Sequence, residues 1–566
     1  MTNVAILADS TAPPLSPSST RQTLVEIALI FAVFCLQGAW PVPDVNEPCY
    51  LGKAIHYWNP DWLGGDFFME SADTHRVFYF TFGWLSLWLA PTALVWTGRS
   101  LTWLLLAWSW RRLSAAVIPR PWWSLLTATL FGCLMERCHM AGEWVIGGVE
   151  AKGFAYVLVF LGLESLVRNR WNRALLMLGA ASAFHVLVGG WSAIAVGLAW
   201  LWLKKPRTVV SRGSATTGRG FVSGQSPLPR LRSIWPGIVG GGLLALPGLI
   251  PVLLLDWGID RETLRQARQI YVFERLPHHL ILAGMRWDFV LRFALLWLFW
   301  LALGKCSRHT PCAGADGTRS VPATGMLRAF VAGAMIIAWI GVAINPLMYV
   351  DGPLAADLLR FYWFRLSDVA LPLGVALEGT ALIAALCLKN AVENAPGLRS
   401  RGEIAGRCWL ALALVVAGFQ AGDHAIDRLA PRPPRSNRIV DYVAWREACD
   451  WVVQSGQIPL DAKFLTPRLS STFKWYTGRT DVANWKDVPQ DAPEILEWWR
   501  RIEAIYMTGE PSPPRWHESL ATLGAARLKA LGARYNAGYA ITQAAETPPD
   551  LPEAYRNRTY VIYRLR

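Results

Sequence analysis

The chain has little charge for its length. Of its 566 residues, 17% are Asp, Glu, Lys or Arg and 53% are hydrophobic. Soluble globular domains carry about 25% charged residues, so this shortage argues against an ordinary soluble protein. The apolar runs at 23–40, 237–255 and 331–350 each approach the roughly 20 residues that cross a bilayer. The sequence therefore predicts an α-helical polytopic membrane protein.

Metal-binding and nucleic-acid-binding patterns are also missing. The nine Cys are scattered and form no CxxC pair, which excludes a zinc or redox motif of that type. The net charge of +14 comes mainly from short loops between apolar runs, where the positive-inside rule accounts for it. No repeat of solenoid period is present. We expect membrane as a partner and no nucleic acid.

Loop charge predicts the topology. Residues 204–233 carry basic side chains without an acid, and 305–328 are mainly basic, so both loops are expected on the cytoplasmic side. Alternation then places 256–287, 349–368 and the C-terminal region outside. Region 77–112, which Pro91 breaks, is expected to make one crossing plus a partial piece. The total is about eleven crossings, or about twelve to thirteen if that region is divided differently.

The composition divides the chain into three parts. Residues 1–20 are polar, lack a basic region typical of a signal peptide, and are predicted as a disordered N-terminal tail. Residues 21–425 form the transmembrane domain, with an acidic outer loop at 41–76. A linker follows, and 430–566 have short apolar runs and frequent charges. Helical segments such as "DAPEILEWWRRIEAIY", with Asp and then Pro at its start, and alternating segments such as "RTYVIYRLR" predict a small extracytoplasmic α/β domain.

The acidic loop directly follows the first apolar segment. Asp44 and Glu47 lie within a few residues of the membrane end, which predicts that one or both carboxylates sit at the bilayer surface. For Asp61, Asp66 and Glu70 we favour the simpler interpretation of a solvated outer loop that only marks topology.

Two resemblances support a functional hypothesis. The segment "DVNEPCYLGKAIHYWNPDWLGGDFF" (44–68) resembles the first outer loop of GT-C type membrane glycosyltransferases, which carries an acidic pair soon after the first helix. Most of the chain also resembles an uncharacterised family of bacterial multi-pass membrane proteins, which implies no mechanism. That second resemblance rests on five segments: "SADTHRVFYFTFGWLS" (71–86), "GGVEAKGFAYVLVFLG" (147–162), "FHVLVGGW" (184–191), "LRFYWFRLSDVALPL" (359–373) and "TFKWYTGRTDVANWKDVP" (472–489).

The GT-C resemblance implies an enzyme of the cell envelope. Such a protein moves a sugar from a polyprenyl-phosphate donor to an acceptor lipid, glycan or protein at the outer face of the cytoplasmic membrane. It implies Asp44 as catalytic base with Glu47 as the close rival, because this pair is spaced by two residues where many members have adjacent acids. The leaving phosphate needs fixed cations, and Arg360 and Arg365 suit that role. Snorkelling of these two Arg at the interface is an equally good interpretation.

Further substrate-binding candidates are ionisable groups near the ends of apolar segments, where such groups are costly unless paired or hydrated. Asp73 and His75 lie two residues apart and suit substrate hydroxyls or a metal, although a helix N-cap is the simpler role for one of them. A metal would need a third ligand such as Glu150. No metal site is predicted, and no cofactor is certain, but a divalent metal stays open. Lys152 is a candidate of the same kind as Glu150.

The C-terminal domain adds two candidates, Arg479 and Lys486, in an aromatic and basic stretch that suits sugar and phosphate, or alternatively forms a docking surface. Two other functions stay open. One is a non-catalytic membrane scaffold with a partner-binding outer domain. The other is a transporter or flippase, which the absence of an internal repeat disfavours.

Overall fold

The computed structural model describes residues 19–204, 228–308, 323–388, 401–511 and 514–566. The tail predicted at 1–20 lies almost wholly outside these ranges. Most of the basic loops predicted at 204–233 and 305–328 also lies outside them.

Up to residue 429, the described chain is helical. A π-helical turn, Ile270–Arg275, follows the tenth α-helix directly. The α-helices are α1 Thr20–Gly38, α2 Glu47–Trp58, α3 Arg76–Phe82, α4 Pro91–Val117, α5 Trp123–Arg137, α6 Ala151–Val167, α7 Trp171–Phe184, α8 Val186–Lys204, α9 Leu231–Leu254, α10 Arg261–Gln269, α11 Pro277–Leu280, α12 Trp287–Arg308, α13 Ala323–Ile344, α14 Gly352–Leu359, α15 Arg365–Leu388 and α16 Arg401–Leu429.

Seven helical segments within the described ranges are long and apolar enough to cross a membrane. They are Thr20–Gly38, Val186–Lys204, Leu231–Leu254, Trp287–Lys305, Ala323–Tyr349, Arg365–Cys387 and Ile404–Leu429. The other four predicted crossings correspond to α4, α5, α6 and α7. Helices α5 to α7 have 14 to 17 residues, fewer than a perpendicular crossing needs. Helix α4 has 27 residues but carries three Arg.

The region 77–112 divides as its Pro predicts. Helix α3 and a 3₁₀ turn over Gly83–Leu87 precede the single long helix α4. Pro91 is the first residue of α4, where its missing N–H leaves no helical hydrogen bond unmade. Aromatic side chains join α4 to its neighbours: the Trp110 ring lies 4.4 Å from Phe131 of α5 and 5.4 Å from Phe160 of α6.

The C-terminal region combines helices with a small sheet. Its helices are α17 Tyr442–Gln454, α18 Phe473–Thr477, α19 Ala492–Tyr506 and α20 Gly524–Tyr535, and its strands are β1 Lys463–Leu465, β2 Thr480–Asp481, β3 Met507–Pro511, β4 Pro514–Trp516, β5 Tyr539–Gln543, β6 Glu553–Arg556 and β7 Tyr560–Arg564. The main sheet has the order β2-β1-β5-β7-β6, and β3 pairs with β4 separately. Successive residues of β5 enter different apolar clusters, Ala540 with Trp498 and Ile541 with Trp445, so the sheet is covered on both faces.

Candidate functional site

A cavity of about 670 Å³ lies where the ends of the long apolar helices meet the C-terminal domain. Its volume is in the range of small-molecule sites, roughly 300–1,000 Å³. Its walls come from the stretch 46–79, the start of α8, the end of α9, residues 264–279, residues 360–365 and residues 486–495. The structure thus gathers at one place the loops that charge alternation assigns to one side of the membrane.

The lining is strongly cationic. It contains six Lys or Arg side chains and one carboxylate. The cations are Lys53, Arg268, Arg275, Arg360, Arg365 and Lys486, and the carboxylate is Asp256. This excess of positive charge favours an anionic ligand.

One wall of the cavity is apolar. It is formed by Leu249, Val252 and Leu253 near the end of α9. Leu253 is also 62% exposed, and Ile250 beside it is 47% exposed. The apolar wall is therefore continuous with the outer surface of a helix that is apolar enough to lie in a membrane. A ligand with an anionic head and a hydrocarbon tail fits this combination.

Two cations of the lining share Asp256. The Asp256 carboxylate lies 2.8 Å from Arg268 Nη2 and 2.9 Å from Arg360 Nη1, and Arg268 also reaches Asp357 at 2.8 Å. The two guanidinium groups hold the pKa of Asp256 below its usual value, although burial acts to raise it. The predicted phosphate ligand Arg360 does line the cavity, with its charge partly compensated.

Two further cations have their own carboxylates. Arg365 Nε lies 2.6 Å from Glu143 Oε2, and Lys53 Nζ lies 3.1 Å from Asp73 Oδ1. The Lys53 ammonium also donates to the carbonyl of Ser71 at 2.6 Å. Asp73 therefore does not line the cavity itself but contacts Lys53, which does.

Arg275 and Lys486 differ from the other four. Within the described residues, neither side chain pairs with a carboxylate. Arg275 is the last residue of the π-helical turn, is 6% exposed, and lies 5.4 Å over the Trp485 ring, while its Nε has no hydrogen-bond partner. Burial lowers the pKa of Arg275 and of Lys486. Single π turns occur often at functional sites, and this one places at the cavity a guanidinium that has no ion-pair partner among the described residues.

Imidazole rings also line the cavity. His75 Nε2 is 3.4 Å from the Tyr50 hydroxyl, and the His75 ring lies 5.1 Å from that of His185. Burial lowers the pKa of His75 to about 4. The ring is therefore neutral at physiological pH and retains a nitrogen that can accept a hydrogen bond.

The expected position of Asp44 and Glu47 at a lipid-facing surface is wrong. Both are fully buried and point into protein. Asp44 accepts two hydrogen bonds from Arg435 at 2.8 Å each, and Glu47 accepts two from Arg99 at 2.7 Å each. The Arg435 guanidinium holds the pKa of Asp44 below its usual value against the opposing effect of burial. Both carboxylates are already fully used as hydrogen-bond acceptors.

The backbone of the segment before α6 completes this arrangement. Gly148 N–H donates to Asp44 at 3.1 Å, and Val149 N–H donates to Glu47 at 2.9 Å. A Cβ on Gly148 would lie 2.9 Å from a Glu47 oxygen, so the close approach requires glycine at this position.

Three other predicted substrate ligands lie outside the cavity lining. Glu150 accepts from Asn46 at 2.7 Å, and Lys152 lies 3.2 Å from Glu143. Arg479 lies within the C-terminal domain, where its guanidinium donates to backbone carbonyls, including that of Pro459 at 2.6 Å. These carbonyls give the Arg479 side chain a structural role, and it does not line the cavity.

Asp66 is a second correction to the acidic loop. It was expected to be solvated, but it is fully buried and lies 2.9 Å from the Lys474 ammonium. Lys474 also contacts Asp481 at 3.3 Å and Asp487 at 2.8 Å. Burial raises the pKa of Asp481 to about 6. This cluster, which we call the Lys474 cluster, fastens the C-terminal domain to the acidic loop.

Sequence reasoning found His75, Arg360, Arg365 and Lys486, which all line the cavity, but it missed three lining cations, Lys53, Arg268 and Arg275. The local sequence of Arg275, "YVFERLPHH", gives one weak signal, a basic residue among aromatic ones in a loop expected outside. Among the residues that the structure describes, no group of three or more His, Cys, Asp or Glu has a metal-binding arrangement.

The comparisons with known proteins add one match. Residues 443–505 match a family model described as "Domain of unknown function (DUF6798)". The matched segment runs from α17 into α19 and includes both Lys474 and Lys486. No curated protein matches the chain.

Proposed function

We propose that this chain is a GT-C-like membrane glycosyltransferase. It moves a sugar from a polyprenyl-phosphate donor to an acceptor at the outer face of the cytoplasmic membrane, with about eleven membrane helices and an extracytoplasmic C-terminal domain. One observation carries the proposal: a cavity with six cationic side chains has an apolar wall that continues onto the exposed surface of α9. That combination suits a phosphate on a hydrocarbon chain better than a soluble sugar phosphate.

The residues take different roles from those expected from sequence. Asp44 and Glu47 hold the first loop against α4, the segment before α6 and the C-terminal domain. His75 orients the acceptor hydroxyl, because its neutral ring lines the cavity and accepts hydrogen bonds. The cations bind the donor phosphate and stabilise it as the leaving group.

The direct test is transfer by the purified chain in proteoliposomes. The donors are polyprenyl-phosphate-linked hexoses and pentoses with a labelled sugar, and the acceptors are lipid and glycan fractions of a bacterial envelope. We expect label in an acceptor fraction together with release of polyprenyl phosphate. The matched control supplies the same sugars as nucleotide-diphosphate sugars. These donors lack the lipid chain and should give no transfer. The same result with both donor types contradicts the proposal.

Variants separate the roles. His75→Gln should lower turnover while donor affinity is kept. His56→Gln is the matched control, because His56 contacts the carbonyl of Trp62 and does not line the cavity. Asp44→Asn and Glu47→Gln should lower stability, with little change in activity per folded molecule. If either carboxylate variant is as stable as the unmodified protein but transfers no sugar, the structural role is wrong. That carboxylate is then the catalytic base that the family resemblance implies.

A second function has one observation in its favour. Asp44 and Glu47 are buried against protein, and this is expected of a non-catalytic scaffold that descends from such an enzyme. In that case the chain binds a partner through its C-terminal domain and transfers no sugar. The transfer assay decides, because a scaffold gives no labelled acceptor with any donor.

A further inference from the structure

Two cations that have no ion-pair partner among the described residues lie at the boundary between the membrane part and the C-terminal domain. Arg275 comes from the π-helical turn, and Lys486 comes from the segment between β2 and α19. Both line the cavity. Of its six cations, four lie within ion-pair distance of carboxylates, which leaves these two without such a partner in the described chain.

A buried charge without a partner is unfavourable, and proteins normally pair such groups or coordinate them. Arg275 is 6% exposed, and its neighbour Trp485 offers only the face of a ring at 5.4 Å. The Lys486 ammonium has no hydrogen-bond acceptor among the described residues. The lining thus places two cations without an ion-pair partner close together, and an anion with about two negative charges would match them.

We propose that Arg275 and Lys486 form a phosphate site that selects the dianionic monoester end of a long-chain lipid phosphate over the monoanionic diester. A phosphate monoester carries about −1.5 to −2 charges at neutral pH, which two cations match. A guanidinium and an ammonium also supply several donors to the three terminal oxygens of a monoester.

The lipid source follows from the rest of the lining. Leu249, Val252 and Leu253 give the hydrocarbon chain an apolar path toward the exposed surface of α9. Inorganic phosphate offers the same charged oxygens but has no hydrocarbon chain, so it would leave the apolar wall exposed to water. We therefore assign the site to a lipid monophosphate.

One consequence rests on the proposed function. During transfer, the bond between the anomeric carbon and the phosphate oxygen breaks, and its electron pair stays on that oxygen. The acceptor oxygen bonds to the anomeric carbon, and its proton is released to water. The lipid phosphate thereby changes from a monoanion to a dianion. Arg275 and Lys486 then stabilise the negative charge that develops on this oxygen in the transition state more than they stabilise the intact donor, which lowers the barrier.

Binding to the full-length chain in nanodiscs tests the site without requiring turnover. The probes are a polyprenyl monophosphate, its methyl phosphodiester, the polyprenyl alcohol of equal length and inorganic phosphate. We expect the monophosphate to bind about 10-fold or more tightly than the diester or the alcohol. Equal binding of monoester and diester overturns the charge selection. Binding of inorganic phosphate as tight as that of the lipid monophosphate overturns the assignment to a lipid.

Arg275→Met and Lys486→Met should each weaken monophosphate binding about 10- to 100-fold, since hydrogen bonds to charged groups are worth about 1.5–3 kcal/mol. Each should also raise the melting temperature of the protein without added lipid, because the substitution removes a cation that has no ion-pair partner among the described residues and that is buried for Arg275 and half-buried for Lys486. Arg468→Met is the matched control, since Arg468 also lies over Trp485, at 5.5 Å, but does not line the cavity. Unchanged affinity, or a lower melting temperature in both variants, overturns the proposal.

The outcomes also separate this site from the transfer reaction. Selective binding that both substitutions abolish, in a protein that transfers no sugar, leaves the phosphate site standing and removes the proposed enzyme activity. Sugar transfer that neither substitution affects keeps the enzyme activity and removes this site.

Discussion

Lys474→Met should detach the C-terminal domain from the acidic loop. The Lys474 ammonium is buried and contacts Asp66 at 2.9 Å, Asp487 at 2.8 Å and Asp481 at 3.3 Å. Met has similar volume but no charge, so the change leaves three buried carboxylates without a cation. The two shorter contacts are charge-assisted hydrogen bonds worth about 1.5–3 kcal/mol each. Removal of one partner of a buried ion pair costs about 3–5 kcal/mol, so we expect a loss near 4 kcal/mol.

Two assays measure this loss on the full-length chain. Thermal unfolding followed by tryptophan fluorescence should show a clearly lower transition, and limited proteolysis should cut the linker at 431–438 faster. Lys463→Met is the matched control, because Lys463 lies at the same boundary but only donates to the carbonyl of Gly65 at 3.2 Å. That control should stay within about 0.5 kcal/mol of the unmodified protein.

The pH dependence gives a stricter criterion. Without Lys474 the buried carboxylates have raised pKa values, so each is destabilising while ionised and harmless once protonated. The loss caused by Lys474→Met should therefore shrink between pH 7 and pH 5. Adding Asp487→Asn should recover part of the loss at pH 7. A loss below about 1 kcal/mol, or one that grows on acidification, refutes the assignment of Lys474 as the cation that holds the two parts together.

Two further substitutions test the surroundings of the cavity. Gly148→Ala should destabilise the protein by about 1–3 kcal/mol in thermal unfolding, because the new Cβ would lie 2.9 Å from Glu47 and 3.0 Å from Asp44; Gly190→Ala, which meets nothing within 4 Å, should not. His75→Gln should make thermal stability less sensitive to acid. The pKa of His75 is about 4 in the folded protein against a usual value of 6.5, so the unfolded chain binds the proton first and stability falls as pH drops from 6.5 to 4. Between pH 6.5 and pH 4, the loss of unfolding free energy should differ between the two proteins by about 3 kcal/mol at most. Parallel curves of stability against pH over this range would contradict a neutral His75.

The helices and strands follow from local patterns, and most were predictable. Apolar runs predict the membrane-length helices, and alternation in "RTYVIYRLR" predicts β7. The count of crossings was harder, because α5, α6 and α7 are apolar but shorter than a bilayer is thick. Their apolar surfaces are covered by neighbouring helices, and composition alone does not distinguish that burial from contact with lipid.

The roles of the acids were not predictable, because their partners are distant in the sequence. Asp44 pairs with Arg435, 391 positions away, and Glu47 pairs with Arg99, 52 positions away. Arg99 lies inside α4 and is fully buried, where an Arg is costly without a carboxylate. Glu47 therefore satisfies a cation that would otherwise be buried alone, whereas the buried carboxylate of Asp44 pairs with Arg435, whose side chain is 36% exposed.

Arg275 was missed because its neighbour in the sequence suggests an ion-pair partner that the fold does not provide. Glu274 precedes it, so the sequence suggests a locally balanced pair of charges. Neighbouring residues on a helix point in different directions, and the two side chains form no ion pair. Burial, together with repulsion from Glu503, raises the pKa of Glu274, so this carboxylate faces another acid and forms no ion pair with Arg275. Absence of a partner is a property of the folded surroundings, and no pattern in the sequence reports it.

The acidic stretch and the cavity are connected through the C-terminal domain. Asp44 binds Arg435 and Asp66 binds Lys474, so the same loop fastens both the start and the middle of that domain. Lys486 lies 12 positions after Lys474 and reaches the cavity only when the domain is docked. Lys474→Met should thus weaken binding of a lipid monophosphate and lower stability together, whereas Arg275→Met should weaken binding and raise stability. The opposite signs of the two stability changes separate a residue that assembles the site from one that binds the ligand.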